Sequence, residues 1–351
     1  MTVADVAVVA ATGVIGGTPV TMHPGYVDLQ INGVDDIDFS VADGADWDRA
    51  GHRLLASGVT AYLPTICSMP LDRYDAALAR VEAARRAAGV DMPRILGVHL
   101  EGPFLGGAPG AHPRSMLRAM DADWLHDLLD RHPGLVRLVT VAPEADPDLA
   151  GIGMLAGLGV AVALGHTTCT YEQAVAAAAA GATLTTHLFN GMGSLHHREP
   201  GIIGAALDPR VDLTPTLIAD FVHVHPAVVG LAFAASKPIL VSDAVATGVH
   251  YFDAAVVADR GAAFLPNGTL TGAVSMLDVA VQNVVSLGVE VGAAMAAASA
   301  RPAEVLGLDR APGTIAVDAD LVVLAAWPGA DFGGADFGGT DSAGVDGDGV
   351  G

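Results

Sequence analysis

"VALGHTTCTYEQAVAAAAAGATLTTHLFNGM", residues 162–192, sets two short apolar runs on either side of an alanine-rich segment of helical character. Each run ends on a histidine, His166 and His187, directly before a polar loop. A core histidine sits more naturally inside an apolar run. One placed where the run stops suits the mouth of a barrel, where strand ends carry chemistry.

Six more runs of the same kind occur along the chain: "GYVDLQING", "GVTAYLPT", "RILGVHLEGP", "LVRLVTVAPE", "DLTPTLIAD" and "PILVSDA". Between most of the eight lie helix-period segments, such as "DWDRAGHRLLASG" and "LDRYDAALARVEAARRAAG", several opening on Asp or Pro and closing on Gly. Eight strand–helix units in sequence, with near-continuously apolar strands, predict an α/β fold, a parallel (β/α)8 TIM-type barrel covered on both faces. The barrel is expected over residues 23–307. After the sixth strand, "GMGSLHHREPGIIGAALDPR" reads as a long functional loop rather than a plain crossover helix. After the eighth, "FLPNGTLTGAVSMLDVAVQNVVSLG" and "VGAAMAAASARPAEVLGL" read as further helices. Residues 1–22 and 308–327 each hold one or two short strands, expected to form a small, reduced β-rich satellite from both termini. Residues 328–351, rich in Gly and Asp, read as a disordered acidic tail.

The chain has 351 residues, 52% of them hydrophobic, enough for one large core and a satellite. No apolar run of about 18 residues is free of Gly, Pro and charge, which argues against a membrane span. The start lacks the basic region of a secretion signal, so a cytoplasmic enzyme is expected. Cys67 and Cys169 lie far apart and form neither a disulfide framework nor a zinc knuckle. The formal net charge is −22, with Lys237 the only lysine. Such a surface repels nucleic acid, and an anionic substrate needs a local cluster of Arg or His working against the overall field.

The predicted strands end in Gln30 and Asn32, then Glu101, His166, His187, Asp220 with His223 just after, and Asp243. Any one of these has an ordinary structural reading; an Asp after "LVS" often caps the next helix. Together they form a polar ring at one mouth. Two neutral imidazoles and a carboxylate, His166, His187 and Glu101, make a three-ligand set for zinc or a similar divalent ion, with a position left for water. Hydrolysis at such a site needs a general base that later protonates the leaving group, and Asp243 is the candidate.

"HPGYVDLQINGV", "GVHLEGPF" followed by "GAH", the opening stretch, "HHREPGIIGAAL", "IADFVHVHP", "LVSDA" and "LTGAVSML" succeed one another between about residues 23 and 324. In that order they resemble the motifs of the N-acetylglucosamine-6-phosphate deacetylases, a family of the amidohydrolase superfamily. The resemblance implies hydrolysis of the acetamide of N-acetylglucosamine 6-phosphate, giving glucosamine 6-phosphate and acetate. It implies that Glu101, His166 and His187 hold the metal. Asp243 activates the water and then protonates the departing amine, and His112 helps polarise the acetamide carbonyl. His223 contacts the sugar, Asn190 and the Gly191 backbone shape its phosphate end, and Arg198 binds the phosphate, in the family often from a neighbouring subunit. A homodimer or higher homo-oligomer is therefore expected.

Two departures stand out. Many amidohydrolases carry His-x-His on the first strand for a second metal, whereas "DLQING" has Gln30 and Asn32, both poor zinc ligands. One divalent ion per chain, zinc first, is expected, with Gln30 free to hydrogen-bond substrate. Phe221 stands where the family pattern has Gly, and a ring there could alter which sugar fits. The rival readings are deacylation of a different N-acyl sugar and a sugar-phosphate-binding protein without catalysis.

Overall fold

The computed structural model describes residues 12–251 and 254–329. Eight strands run parallel in chain order: β1 Tyr26–Ile31, β2 Val59–Cys67, β3 Val98–Glu101, β4 Val136–Val141, β5 Ala161–Leu164, β6 Leu184–Thr185, β7 Thr214–Leu217 and β8 Ile239–Leu240. The ring is drawn together just past β8. There the Asp243 N–H donates to the Gln30 carbonyl at 2.9 Å and the Asn32 N–H to that of Ala244 at 2.7 Å. Side chains along each strand alternate between two apolar layers. Leu29, Leu63, Leu138, Ala163, Leu184 and Ile239 pack with one another, while Tyr62, Val139, Val162, Leu164 and Leu240 join the layer shared with the helices. Period-two burial on both faces is what makes these strands read as continuous apolar runs.

Helices fill every crossover: α1 Ala45–Ala56, α2 Tyr74–Ala87, α3 Ala122–Arg131, α4 Ala150–Gly157, α5 Tyr171–Ala180, α6 Gly201–Leu207 and α7 Pro226–Ala235. Their starts follow capping chemistry. Thr170 and Gln173 form a reciprocal capping box at α5, and Asp121 accepts from the Trp124 N–H at α3. The connection after β6 combines both readings of its sequence. Residues 188–200 are irregular, and only then does α6 form, seven residues long.

The region after β8 corrects the reading of further helices alone. A three-stranded antiparallel sheet, Val257–Asp259, Ala262–Phe264 and Leu270–Ala273, precedes α8 Leu277–Ser286, α9 Val291–Ala298 and α10 Ala300–Val305. The segment "LTGA" is extended because it pairs with the end of the barrel: the Ala273 N–H donates to the Asp243 carbonyl at 3.0 Å, and Val245 N–H returns to the Ala273 carbonyl at 3.1 Å. A Cβ at Gly272 would lie 2.6 Å from that Asp243 carbonyl, so only glycine permits the approach.

A separate four-stranded antiparallel sheet joins both ends of the described chain, in the order Thr12–Ile15, Thr18–Pro24, Thr314–Val317, Val323–Trp327. Val20, Met22 and Ala316 form its own small core. The expected strands before residue 12 and the acidic tail from residue 330 lie outside the described residues. Among those described, no helix is long and apolar enough to cross a membrane.

Candidate metal centre

Glu101 closes β3, His166 follows β5 by two residues and His187 follows β6 by two. The barrel brings the three together from positions up to 86 apart. Glu101 Oε1 lies 3.1 Å from His166 Nε2 and 3.0 Å from His187 Nε2, and the two imidazole nitrogens are 3.1 Å apart. All three side chains are buried. His166, His187 and Asp243 all adopt positive φ, 49°, 33° and 50°. Left-handed backbone at three strand ends is strain of the kind held at functional sites, and it turns the side chains inward where the strand stops.

The hydrogen bonding around this triangle calls for a cation. His166 Nδ1 donates to the Ala108 carbonyl at 3.2 Å. Burial lowers the His166 pKa to about 4, so the ring is neutral. Its Nε2 is therefore a bare lone pair, facing a carboxylate oxygen 3.1 Å away. Two acceptors in contact repel unless a positive charge lies between them. Tetrahedral zinc with bonds of about 2.0–2.1 Å sets its ligand atoms roughly 3.3 Å apart, close to the spacing seen. The donor set and its spacing fit a divalent ion, and a carbonyl orienting the far nitrogen of a ligating histidine is the usual outer support.

Asp243 and Gln30 complete the group. The Gln30 side-chain amide donates to both Glu101 Oε1 at 2.9 Å and Asp243 Oδ1 at 3.1 Å, and the Asn32 amide donates to the same Asp243 oxygen at 2.8 Å. Gln30 thus ties the candidate base to the metal ligand, a link no local pattern announces. Burial, then the charge of Glu101, raises the Asp243 pKa to about 7. His223 is held by Asp220, Nδ1 to Oδ2 at 2.7 Å, close enough for its charge to bear on Asp243.

A cavity of about 400 Å³ opens beside the cluster, lined by Asn32, Cys67, Ser68, Glu101, His112 and His166 and, further out, by Arg73, Arg80 and His250. Gln30, His187, Asn190, Gly191, Arg198, His223 and Asp243 do not line it, and the Gln30 amide, expected to be free for substrate, is engaged by Glu101 and Asp243. The Asn190 amide instead donates to the His187 carbonyl at 3.2 Å, bracing the strand end. Arg198 is exposed on the loop after β6, with Nη1 2.9 Å from His197 Nε2. Phe221 takes φ 64°, a conformation glycine adopts freely, and its ring packs against the main apolar core, outside the cavity lining.

Sequence reasoning passed over Glu144, just past β4 in "VAPE". It accepts from the Gly107 N–H at 3.0 Å, the Thr168 N–H at 2.7 Å and the Thr167 hydroxyl. It thereby pins the loop leading to His112 against the loop that follows His166. An acid directly after an apolar run was the available signal. Gly191 is similarly constrained. Its φ is 56°, and a Cβ there would stand 2.7 Å from His166 Nδ1. Gly191→Ala is expected to push the imidazole off the Ala108 carbonyl and weaken metal affinity about 10–100-fold, measured by competition with a chelator. Unchanged affinity would show that the ring orientation does not depend on this contact.

Two imidazoles and a carboxylate gathered at the C-terminal mouth of a parallel barrel define the class of metal-dependent barrel hydrolases. The description "Amidohydrolase family" matches residues 21–345, and the chain belongs to that family, whose members depend on metal. It is 38% identical over 325 residues to the N-acetylglucosamine-6-phosphate deacetylase of Bos taurus, covering 86% of this chain and 79% of that protein. It is 35% identical to the N-acetylgalactosamine-6-phosphate deacetylase of Escherichia coli O157:H7, covering 87% and 85%. Among solved structures it resembles a mutant N-acetyl-D-glucosamine-6-phosphate deacetylase of Mycobacterium smegmatis in complex with N-acetyl-D-glucosamine-6-phosphate. There the TM-score is 0.80 and the identity 31%, over 88% of this chain and 85% of that one.

Proposed function

We propose that this protein hydrolyses the acetamide of N-acetylglucosamine 6-phosphate, releasing acetate and glucosamine 6-phosphate. The observation that carries the reading is the buried Glu101–His166–His187 triangle joined through Gln30 to Asp243. The family and the named relatives supply the substrate class. Glu101, His166 and His187 hold a divalent ion, zinc by the borderline character of the donors, and that ion would supply Lewis acidity and an acidified water. Asp243 takes the proton of the attacking water on a carboxylate oxygen and delivers it to the amine nitrogen as the amide C–N bond breaks. Gln30 keeps Asp243 turned toward that water. His112 lies on the acetamide carbonyl side and helps polarise that carbonyl. His223 meets the sugar, and Asn190 and the Gly191 backbone its phosphate end. The enzyme works in the cytoplasm as a homodimer or higher oligomer, and its strongly acidic surface has no use for nucleic acid or membrane.

Arg198 is assigned to the 6-phosphate, reaching the site of a neighbouring subunit. Its exposure, its place beside His196 and His197, and its absence from the cavity of its own chain support a role between subunits. A guanidinium grips phosphate oxygens through two parallel hydrogen bonds. Arg198→Ala is expected to cost about 2–3 kcal/mol in kcat/KM for the phosphorylated sugar and little for unphosphorylated N-acetylglucosamine. Equal losses on both would assign Arg198 to the loop's structure instead.

A second reading, the C4 epimer N-acetylgalactosamine 6-phosphate, is favoured by the relative from Escherichia coli O157:H7. Kinetics on both N-acetylhexosamine phosphates and their unphosphorylated forms, with and without chelator, test the proposal. Higher kcat/KM on the galactosamine compound would replace the first reading with the second. Undiminished turnover after metal removal would reject both.

A further inference from the structure

Cys67 lies outside the first triangle, and the reaction does not use its side chain. It ends β2, and its sulfur lies 3.6 Å from Glu101 Oε2, the oxygen turned away from the imidazole pair. His112 Nε2 faces that same oxygen at 3.8 Å. The Cys67 thiol also donates to Asn32 Oδ1 at 3.1 Å. Sulfur, imidazole nitrogen and carboxylate oxygen all lie within 4.8 Å of one another, and all three residues line the open cavity.

We infer that Cys67, His112 and Glu101 Oε2 form a second divalent-cation site, with Glu101 bridging it to the first. Bonds of about 2.3 Å to sulfur and 2.0–2.1 Å to nitrogen and oxygen set ligand atoms roughly 3.3–3.6 Å apart, so the 3.6 Å and 3.8 Å contacts of Glu101 Oε2 close onto an ion by a few tenths of an ångström. The hydrogen bonding of His112 repeats that of His166. With the Ser68 hydroxyl turned to the Glu101 carbonyl, 3.4 Å away, its oxygen takes the His112 Nδ1–H at 2.9 Å. That tautomer leaves Nε2 as a lone pair aimed at a carboxylate oxygen, the configuration of a supported metal ligand and not of a donor. Two ions sharing one carboxylate would stand about 3.5–4 Å apart, as in two-metal hydrolases. A thiolate in the set selects borderline or soft ions, zinc or cobalt, over magnesium or calcium. Because Glu101 is shared, the inference rests on the first site being a metal site.

Titration of metal-free protein with Co²⁺ tests this independently of activity. The expected result is two equivalents bound, the weaker one accompanied by a thiolate-to-cobalt charge-transfer band in the near ultraviolet. Cys67→Ser should keep one equivalent, lose the band and weaken the other by about a hundredfold or more. Cys67→Ala serves as a second variant, and the band in the unaltered protein needs no variant at all. Saturation at one equivalent without the band would overturn the second site and leave the first standing. A band arriving with the tighter equivalent would also overturn it, by making Cys67 a ligand of the first ion. Absence of both equivalents would remove the first site and the inference together.

Discussion

Replacing His187 by alanine is expected to lower bound divalent metal and amide hydrolysis in parallel, each by at least about a hundredfold. His187 Nε2 stands 3.0 Å from Glu101 Oε1 and 3.1 Å from His166 Nε2, so its loss opens one corner of a three-cornered site. The ring is buried and its N–H backbone group is held by the Thr216 hydroxyl at 2.7 Å, which a substitution at the side chain leaves in place. The fold should therefore survive, with a cavity of ring size at the barrel mouth. Metal analysis of the purified variant alongside turnover decides the matter. Full activity in a rigorously metal-free sample would end the mechanism proposed above.

Asp243→Asn separates a base from a ligand. The amide nearly preserves the shape of the carboxyl, so the metal is expected to stay while turnover falls about 10²-fold or more. The pH profile adds a second readout. In the metal-free protein, burial and the charge of Glu101 push the Asp243 carboxyl up to about 7. A base works only when deprotonated, so kcat/KM falls as pH drops through its pKa. Bound cation pulls that pKa down, which places the acid limb below 7 in the loaded enzyme. The limb should vanish from the residual activity of the asparagine variant. Loss of metal in that variant would make Asp243 chiefly a ligand, and near-normal turnover with metal retained would give the base's role to another group.

Much of the barrel was legible because a parallel strand buried on both faces needs an apolar side chain at nearly every position, and the turns between demand Gly, Pro and capping residues. Those requirements act over four to fifteen residues and leave their mark in order along the chain. The strand-end positions of Glu101, His166, His187 and Asp243 were legible for the same reason: a polar residue at the stop of an apolar run is a local event. The apolar residues of "FLPNGTLTGAVSML" fit a helical period as well as an extended one. Leu270–Ala273 is a strand because Gly272 lets the backbone close on the Asp243 carbonyl, a contact made 29 positions away along the chain.

What the sequence by itself determined is the order of the elements, the parallel closed architecture and the chemical types gathered at one mouth. What only the tertiary structure decided is which lone pairs face one another. Gln30 spans Glu101 and Asp243, 71 and 213 positions distant, and Ser68 meets His112 Nδ1 from 44 positions away. Glu144 locks two loops, and Cys67 comes to the free oxygen of Glu101 only because β2 and β3 pair in the register that sets Cys67 beside Glu101. Hydrogen bonds and ligand geometry are fixed to fractions of an ångström by neighbours remote in the chain, whereas hydrophobic periodicity is satisfied by any residue of the right class.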